Sequence, residues 1–277
     1  MPWHARLTLN YRLQGQRTVL QHAHDGPLRI FKSLYPEGDA VCHNVIVHPP
    51  GGLVGGDRLD IRVQAAAGSH ALISTPGATR FYATDEQPAV QQVHLDLAAG
   101  ARLEWLPLET IAYPGCEARN HWTATLAPGA ELLAWDVSAL GLPTAGEPFT
   151  RGRLHQRMAI PGLWLEEAHI DARDTRLLES PLGLGGHRCM GTLLLAAGAP
   201  WGRDRQARLL EAARAAVEAL PPGPVQAGVT CPNPQMLVLR AVAPLVEPLM
   251  AVLQATWANL RPAAWDLPAD PPRIWRV

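Results

Sequence analysis

Residues 93–107 read VHLDLAAGARLEWLP. Val93, Leu95 and Leu97 alternate with polar residues at a period of two, the spacing of a strand with one buried face. Gly100 then supplies the positive φ that a tight turn needs, and a second strand pattern comes after it. Three further segments align on a glycine of their own: IRVQAAAGSHALIST (61–75) on Gly68, WTATLAPGAELLAWD (122–136) on Gly129 and HQRMAIPGLWLEEAH (155–169) on Gly162. Leu59, Ile61 and Val63 repeat the alternation ahead of Gly68. Successive glycines stand 32, 29 and 33 residues apart. A weaker unit, RLTLNYRLQGQRTVLQ around Gly15, opens the series, and GTLLLAAGAP around Gly198 closes it. A strand pair that recurs about every thirty residues cannot bury its apolar face alone, and stacking on its neighbours does so. The expected fold is mainly β: a layered, solenoid-like stack of antiparallel strand pairs. Packed sheets, or a plain meander of similar hairpins, are the alternatives.

The last third changes character. DRQARLLEAARAAVEALPPG (204–223) predicts a helix with Leu210, Ala213, Val217 and Leu220 on one face, Asp204 as cap and Arg214 with Glu218 as an i,i+4 pair. Pro221, Pro222 and Gly223 end it. PQMLVLRAVAPLVEPLMAVLQATWANLR (234–261) predicts a second helical region that Pro244 and Pro248 kink or divide. The expectation is a β-rich part over 1–200, two helices within 203–261 and an extended, docked tail over 262–277. Arg240 and Trp257 read equally as interface anchors or as core.

The 277 residues are 47% hydrophobic and 18% charged, with a formal net charge of −1. That is a globular composition with no global field for nucleic acid or an acidic membrane. Lys32 is the one lysine. Cys42, Cys116, Cys189 and Cys231 lie far apart with no CxxC, and MPWHARLTLNYR has no apolar leader. Together these predict a reduced, cytoplasmic chain with free thiols. No run approaches the roughly 18 apolar residues of a spanning helix.

Signals for chemistry are sparse. The glycine block HPPGGLVGGDRL (48–59) has no Lys and no Ser or Thr for magnesium, and it leads into a strand pattern instead of a helix, so it is no phosphate loop. It reads as a turn between strands 41–48 and 59–65. On the strand VCHNVIVHPP, Cys42 and His43 point opposite ways, while Cys42 and His48 share a face about 20 Å apart. His22 and His24 share a face, with Asp25 near; they are half of a metal site or a solvated strand edge. There is no G-x-S-x-G, Ser74 and Thr75 lack a paired base, and Glu104 and Glu109 are isolated candidate acids. No catalytic constellation emerges.

Several words occur in a fixed order: YPEGDAVCHNVIVHPPGGLVGGDRL (35–59), ISTPGATRFYAT (73–84), LEWLPLETIAYPG (103–115), LLAWDVSALGLPTAGEPF (132–149) and PPRIW (271–275). The chain resembles the urease accessory protein UreD family, called UreH in some bacteria, over almost its whole length. The resemblance implies a single UreD-type domain over 1–277 that is a scaffold and not an enzyme. Such proteins bind apo-urease and UreF, which recruits the GTPase UreG, and the assembly installs nickel in urease. It further implies no tightly bound cofactor, nickel handled transiently, and an internal passage for the metal. Gly51, Gly52, Gly55, Gly56, Asp57, Arg80 and Tyr82 match family motifs, as do Glu109, Trp135, Gly141, Gly146 and Glu147. Arg80 replaces the usual Lys, Ala83 an Arg, Leu108 a Gln and Leu142 an Arg. No resident metal site is expected; Asp57, Glu109, Glu147, His22 and His24 are weak, transient candidate donors to nickel, and for Asp57 the favoured reading is a turn cap that accepts backbone N–H groups. A stand-alone nickel- or zinc-binding protein using His22 and His24, or His43, is the alternative. A β-rich hydrolase with a non-standard site is the third reading.

Overall fold

The computed structural model describes residues 2–84, 87–142, 145–221 and 223–276. Along the chain come β1 (His4–Gln14), β2 (Arg17–Asp25), β3 (Arg29–Ile30), β4 (Val41–Val47), β5 (Arg58–Ala65), β6 (His70–Ser74), β7 (Thr79–Phe81), β8 (Ala89–Leu97) and β9 (Arg102–Trp105). Next are β10 (Thr110–Ala112), β11 (Glu117–Leu126), β12 (Glu131–Leu142), β13 (Glu147–Pro148), β14 (Arg153–Ile160), β15 (Trp164–Asp171), α1 (Thr175–Glu179) and β16 (Cys189–Ala197). The chain closes with α2 (Arg203–Glu218), β17 (Gln226–Asn233), β18 (Met236–Ala243), α3 (Val246–Trp265) and a 3₁₀ turn (Arg273–Arg276).

The four turn glycines behave alike locally. Gly68, Gly100, Gly129 and Gly162 all hold a positive φ, from 69° to 79°. Each turn is closed by the same backbone bond, as in Ala101 N–H to the Ala98 carbonyl at 3.0 Å and Ala130 N–H to the Ala127 carbonyl at 2.9 Å. Beyond the turn the units diverge. After Gly68, Gly100 and Gly129 the chain crosses into a second sheet. β5, β8, β11 and β14 are parallel neighbours in the first sheet, and β6, β9 and β12 are parallel neighbours in the second. The expected antiparallel pairing is therefore corrected for these three units: each is an arch between two sheets, and successive arches stack. The turns stack too, with Ala98 N–H on the Ala65 carbonyl and Ala127 N–H on the Leu97 carbonyl, both at 2.9 Å. Period-two alternation fixes which face of a strand is buried, not which sheet its successor joins. The Gly162 and Gly15 units do form antiparallel hairpins, β14–β15 and β1–β2. The slot beside β12 that a fourth arch would fill is occupied by β16, so β15 folds back on β14. Gly198 closes the series by close approach: a Cβ there would lie 1.9 Å from the Ala127 carbonyl.

Among the described residues the first sheet has seven strands, in the order β15-β14-β11-β8-β5-β1-β2. The second has eleven, running β17-β18-β16-β12-β9-β6-β4-β3 with β7, β10 and β13 attached. One core fills the space between the sheets, with Leu9, Val63, Leu95, Leu132 and Val238 in it. A second core lies between the second sheet and the helices, with Trp135, Leu193, Leu239, Leu253 and Trp257. β12 and β18 are buried on both faces along most of their length for that reason.

This double burial explains the correction in the last third. Residues 236–243, expected within a helical region, are β18, paired with β16 and β17. Met236 and Val238 face the first core, while Leu237, Leu239, Ala241 and Ala243 face the second. A continuous apolar run of this length does not separate strand from helix by periodicity. Pro244 lies between β18 and α3, and Pro248 sits in the first turn of α3, where its missing N–H costs no helical bond. α3 runs on to Trp265, into the expected tail. α2 starts on Gly202 without a side-chain cap, so Asp204 lies in its first turn instead; Leu209, Ala213 and Ala216 are its buried residues. Pro222 lies outside the described residues. The five-residue α1, capped by Asp174, was not anticipated. The tail docks through Trp275, whose indole N–H donates to Ser74 Oγ at 2.9 Å and whose ring packs on Trp135 and Trp257. Among the described residues no helix is long and apolar enough to cross a membrane.

Candidate functional site

The stacked arches place equivalent positions of successive strands side by side. On the inner face of the first sheet, Gln91 of β8, Asn120 of β11 and Gln156 of β14 form one row across three parallel strands. The same row holds Leu59 on β5. On the second sheet Asp136 of β12, Thr192 of β16 and Arg240 of β18 form another row. The two rows meet between the sheets. Gln91 Nε2 donates to Asn120 Oδ1 at 3.0 Å, and Asn120 Nδ2 donates to Asp136 Oδ2 at 3.2 Å. Gln156 Nε2 donates to the other oxygen, Asp136 Oδ1, at 2.5 Å. Ser138 and Thr110 hydroxyls lie within 3.4 and 3.3 Å of the Gln156 and Asn120 amides.

Residues of this polar seam line two cavities, Gln91 one and Asp136 with Gln156 the other. One, of about 220 Å³, is lined by Gly51, Gly52, His48, Thr79, Arg80 and Gln91 among others. The other, of about 440 Å³, is a groove lined by Asp136, Gln156, Glu166, Thr192, Met190 and Arg240 among others. There Thr192 Oγ1 donates to Glu166 Oε1 at 2.9 Å and Arg240 Nε donates to Glu166 Oε2 at 2.8 Å. At the first cavity His48 Nε2 is buried and has no hydrogen-bond partner among the described residues. Burial lowers the His48 pKa, with the charge of Asp57 opposing.

Asp136 is 6% exposed, and among the described residues no cation touches it. Burial pushes its carboxyl up to about 6; the Gln156 amide opposes this and the charge of Glu166 adds to it. A carboxylate held only by amides between two cavities is an oxygen donor with unmet demand for positive charge.

A second buried carboxylate is arranged in the opposite way. Glu104 of β9 is wholly buried beside the wholly buried Arg261 of α3. Glu104 Oε1 lies 3.1 Å from Arg261 Nη2 and 2.9 Å from His70 Nε2, and Trp257 Nε1 donates to Oε2 at 2.7 Å. Arg261 Nη1 also donates to Glu37 Oε2 at 2.6 Å, and Glu37 Oε1 lies 2.6 Å from His43 Nε2. Burial alone would raise Glu104, but His70, Arg261 and the Trp257 N–H outweigh it and hold the carboxyl below its ordinary range. This lock ties the helical layer to the second sheet.

The residues expected from sequence fall elsewhere. Asp57 is buried and accepts from Trp3 N–H at 2.7 Å and Val54 N–H at 3.0 Å. In the glycine block Gly51 and Gly56 hold positive φ, while a Cβ at Gly52 would lie 2.2 Å from the Tyr82 ring and one at Gly55 1.9 Å from Thr84 Oγ1. The block crosses between sheets and docks on β7 through Leu53 N–H to the Arg80 carbonyl at 2.7 Å. Glu109 is half-buried, and its carbonyl accepts from Thr79 N–H. Glu147 is exposed, in a surface hollow with Tyr82, Ala83, Tyr113 and Arg151. Leu108 packs against the second core, and Leu142, at the end of β12, pairs with Glu147. His22 and His24 stack at 6.3 Å on the exposed edge strand β2, and His24 Nδ1 lies 3.2 Å from Arg29 Nη1. None of Asp57, Glu109, Glu147, His22 and His24 lines the seam's two cavities. Arg240, read within a helical region, lines the groove from β18, and Trp257 is core. Cys116 and Cys189 are buried and pushed up to about 12, which keeps both as neutral thiols.

The seam residues carry a signal in the repeats. Gln91 and Asn120 each stand nine positions before their turn glycine, where the first unit has Leu59. Both stand on the inward-facing side of strands that is apolar further along, at Val93 and Leu95 after Gln91 and at Trp122 and Ala124 after Asn120.

Comparison with known proteins points to one family. The family model described as UreD urease accessory protein matches residues 4–276. The chain is similar to the urease accessory protein UreD of Albidiferax ferrireducens, at 58% identity over 279 residues and all of both chains. It is also similar to that of Polaromonas sp. strain JS666, at 55% identity over 277 residues and all of both chains. That of Methylibium petroleiphilum matches at 45% identity over 296 residues, again all of both chains. The chain belongs to the UreD family of urease accessory proteins.

Proposed function

We propose that this chain acts in urease maturation as a non-catalytic chaperone. It binds apo-urease and scaffolds UreF and UreG for GTP-dependent nickel insertion, and the seam between its sheets is the nickel's route. Family membership supports the role in urease maturation. The observation that carries the route is Asp136: a buried carboxylate with amide partners only, between a cavity at the glycine block and a groove at Glu166. Nickel is cargo here. Ni²⁺ takes imidazole, carboxylate and amide oxygen donors, and His48, Asn120, Asp136 and Glu166 offer those in sequence along the seam. A passing cation needs donors good enough to enter and too few to hold it, as in other ion paths. Two fixed amide donors on Asp136 orient both oxygens, and an arriving cation would stabilise the carboxylate that burial disfavours.

The test has two arms. Tag-free chain is incubated with urease subunits and UreF, and complex formation is monitored by size exclusion. Failure to co-purify, together with full urease activation in its absence, overturns the chaperone reading. Asp136→Asn that assembles normally and still activates urease fully overturns the route alone.

A further inference from the structure

The hairpin of β14 and β15 carries different chemistry on its two faces. Gln156 and Glu166 point into the seam, and the next-door residues His155 and Glu167 point out. On the outer face His155 and His169 are direct cross-strand partners, with rings stacked at 3.9 Å. His155 Nε2 is 2.7 Å from Glu167 Oε1, and His169 Nε2 is 3.8 Å from the same oxygen. One ligand atom from each of the three lies within 4.8 Å of the others. On the neighbouring strand β11, His121 Nε2 lies 3.2 Å from His155 Nδ1. His155 and His169 also line a wide surface groove of about 820 Å³.

We infer that His155, Glu167 and His169 form a surface site for a borderline divalent transition ion of the Ni²⁺ class, separate from the seam. Three features favour a metal over an ordinary surface ion pair. The donor set is two imidazoles and a carboxylate, which suits nickel or zinc and not magnesium or calcium. The three ligand atoms already lie within 4.8 Å of one another, so bonds of about 2.0–2.2 Å need only a small turn of His169, whose side chain is exposed. His155 would ligate through Nε2 while its Nδ1 stays bonded to His121, the outer hydrogen bond that orients metal-binding imidazoles. Arg157 Nε stands 3.9 Å from Glu167 Oε2 and competes for the carboxylate, so the site is built for exchange and not for permanent retention.

The test is calorimetric titration of Ni²⁺ into the full chain without an affinity tag, with X-ray absorption at the nickel edge. The expected result is one ion per chain with a micromolar dissociation constant, at least two imidazoles in the coordination sphere, and a loss of at least about tenfold in affinity in His155→Ala/His169→Ala. The control His22→Ala/His24→Ala keeps wild-type affinity. Because all of these side chains are on the outer surface, the variants keep their fold, checked by circular dichroism. No binding at micromolar nickel overturns the site, as does a loss smaller than tenfold in the His155/His169 variant. Binding that survives in that variant and vanishes in Asp136→Asn would assign the ion to the seam instead.

Discussion

Asp136 and Glu104 are both buried carboxylates on strands of the second sheet, and they face opposite sides of it. Glu104 looks toward the helices and is matched by Arg261, His70 and the Trp257 indole. Asp136 looks toward the first sheet and, among the described residues, has only the amides of Asn120 and Gln156. The first arrangement satisfies a charge with fixed partners, so it stabilises a specific packing and offers nothing to a ligand. The second leaves a charge short of its counterion. A carboxylate in that state is either protonated or waiting for a cation, and its position between two cavities favours the second use. The difference separates a structural ion pair from a candidate path within one sheet.

The largest effect is expected where the charge is matched. Arg261→Ala leaves Glu104 and Glu37 buried without their cation, and should cost about 3–5 kcal/mol in urea unfolding. At Asp136 the same kind of change should do little: Asp136→Asn stays within about 1 kcal/mol of wild type at pH 7. A large loss in Asp136→Asn, or a small one in Arg261→Ala, breaks the contrast.

The two carboxyls also predict opposite pH slopes. Asp136 titrates in the folded chain at about 6, above the unfolded value of about 3.9. The native state therefore holds this proton more tightly. Stability falls as pH rises from about 4 to about 6, by roughly 2–3 kcal/mol, and Asp136→Asn removes that part of the slope. Glu104 and Glu37 are held below the ordinary range despite their burial, by His70 and Arg261 and by His43 and Arg261 respectively. Their contribution is present above about pH 4.3, the unfolded value, and is lost as pH falls through their lower folded values. Urea midpoints measured from pH 3 to pH 7 (about one unit apart) check both signs. The smallest effect concerns the tail that covers the helical side. Ser74→Ala removes the acceptor of the Trp275 indole and should cost about 1 kcal/mol, read as a small shift in thermal midpoint.

Much of the β part is legible in sequence because Gly68, Gly100 and Gly129 sit in the same turn and because Leu59, Ile61 and Val63 alternate with polar residues. The crossing between sheets is not legible, since alternation is identical whether the next strand pairs beside its predecessor or above it. β18 is hidden by burial on both faces. The glycine block is legible as a turn, and its two outer glycines need positive φ while its inner two are packed against Tyr82 and Thr84. The seam is half legible: Gln91 and Asn120 are polar residues at the same place in two repeats, on faces that are otherwise apolar, but Gln156 sits only six residues before Gly162 and so falls out of that alignment. Asp136 meets Asn120 and Gln156 across the two sheets, and Glu104 meets Arg261 across 157 positions of chain. Neither contact leaves a local signal.

The proposed passage of nickel for urease along the Asp136 seam is tested most directly by urease activation with purified components. Wild-type chain is compared with Asp136→Asn, matched for folding and for complex formation with UreF and apo-urease. Passage along the seam predicts a complex of normal stoichiometry that leaves urease short of nickel, by at least about tenfold in the initial rate of activation at limiting metal, as expected when a key polar donor is lost. Urease that acquires nickel at the wild-type rate through the Asp136→Asn complex would contradict it.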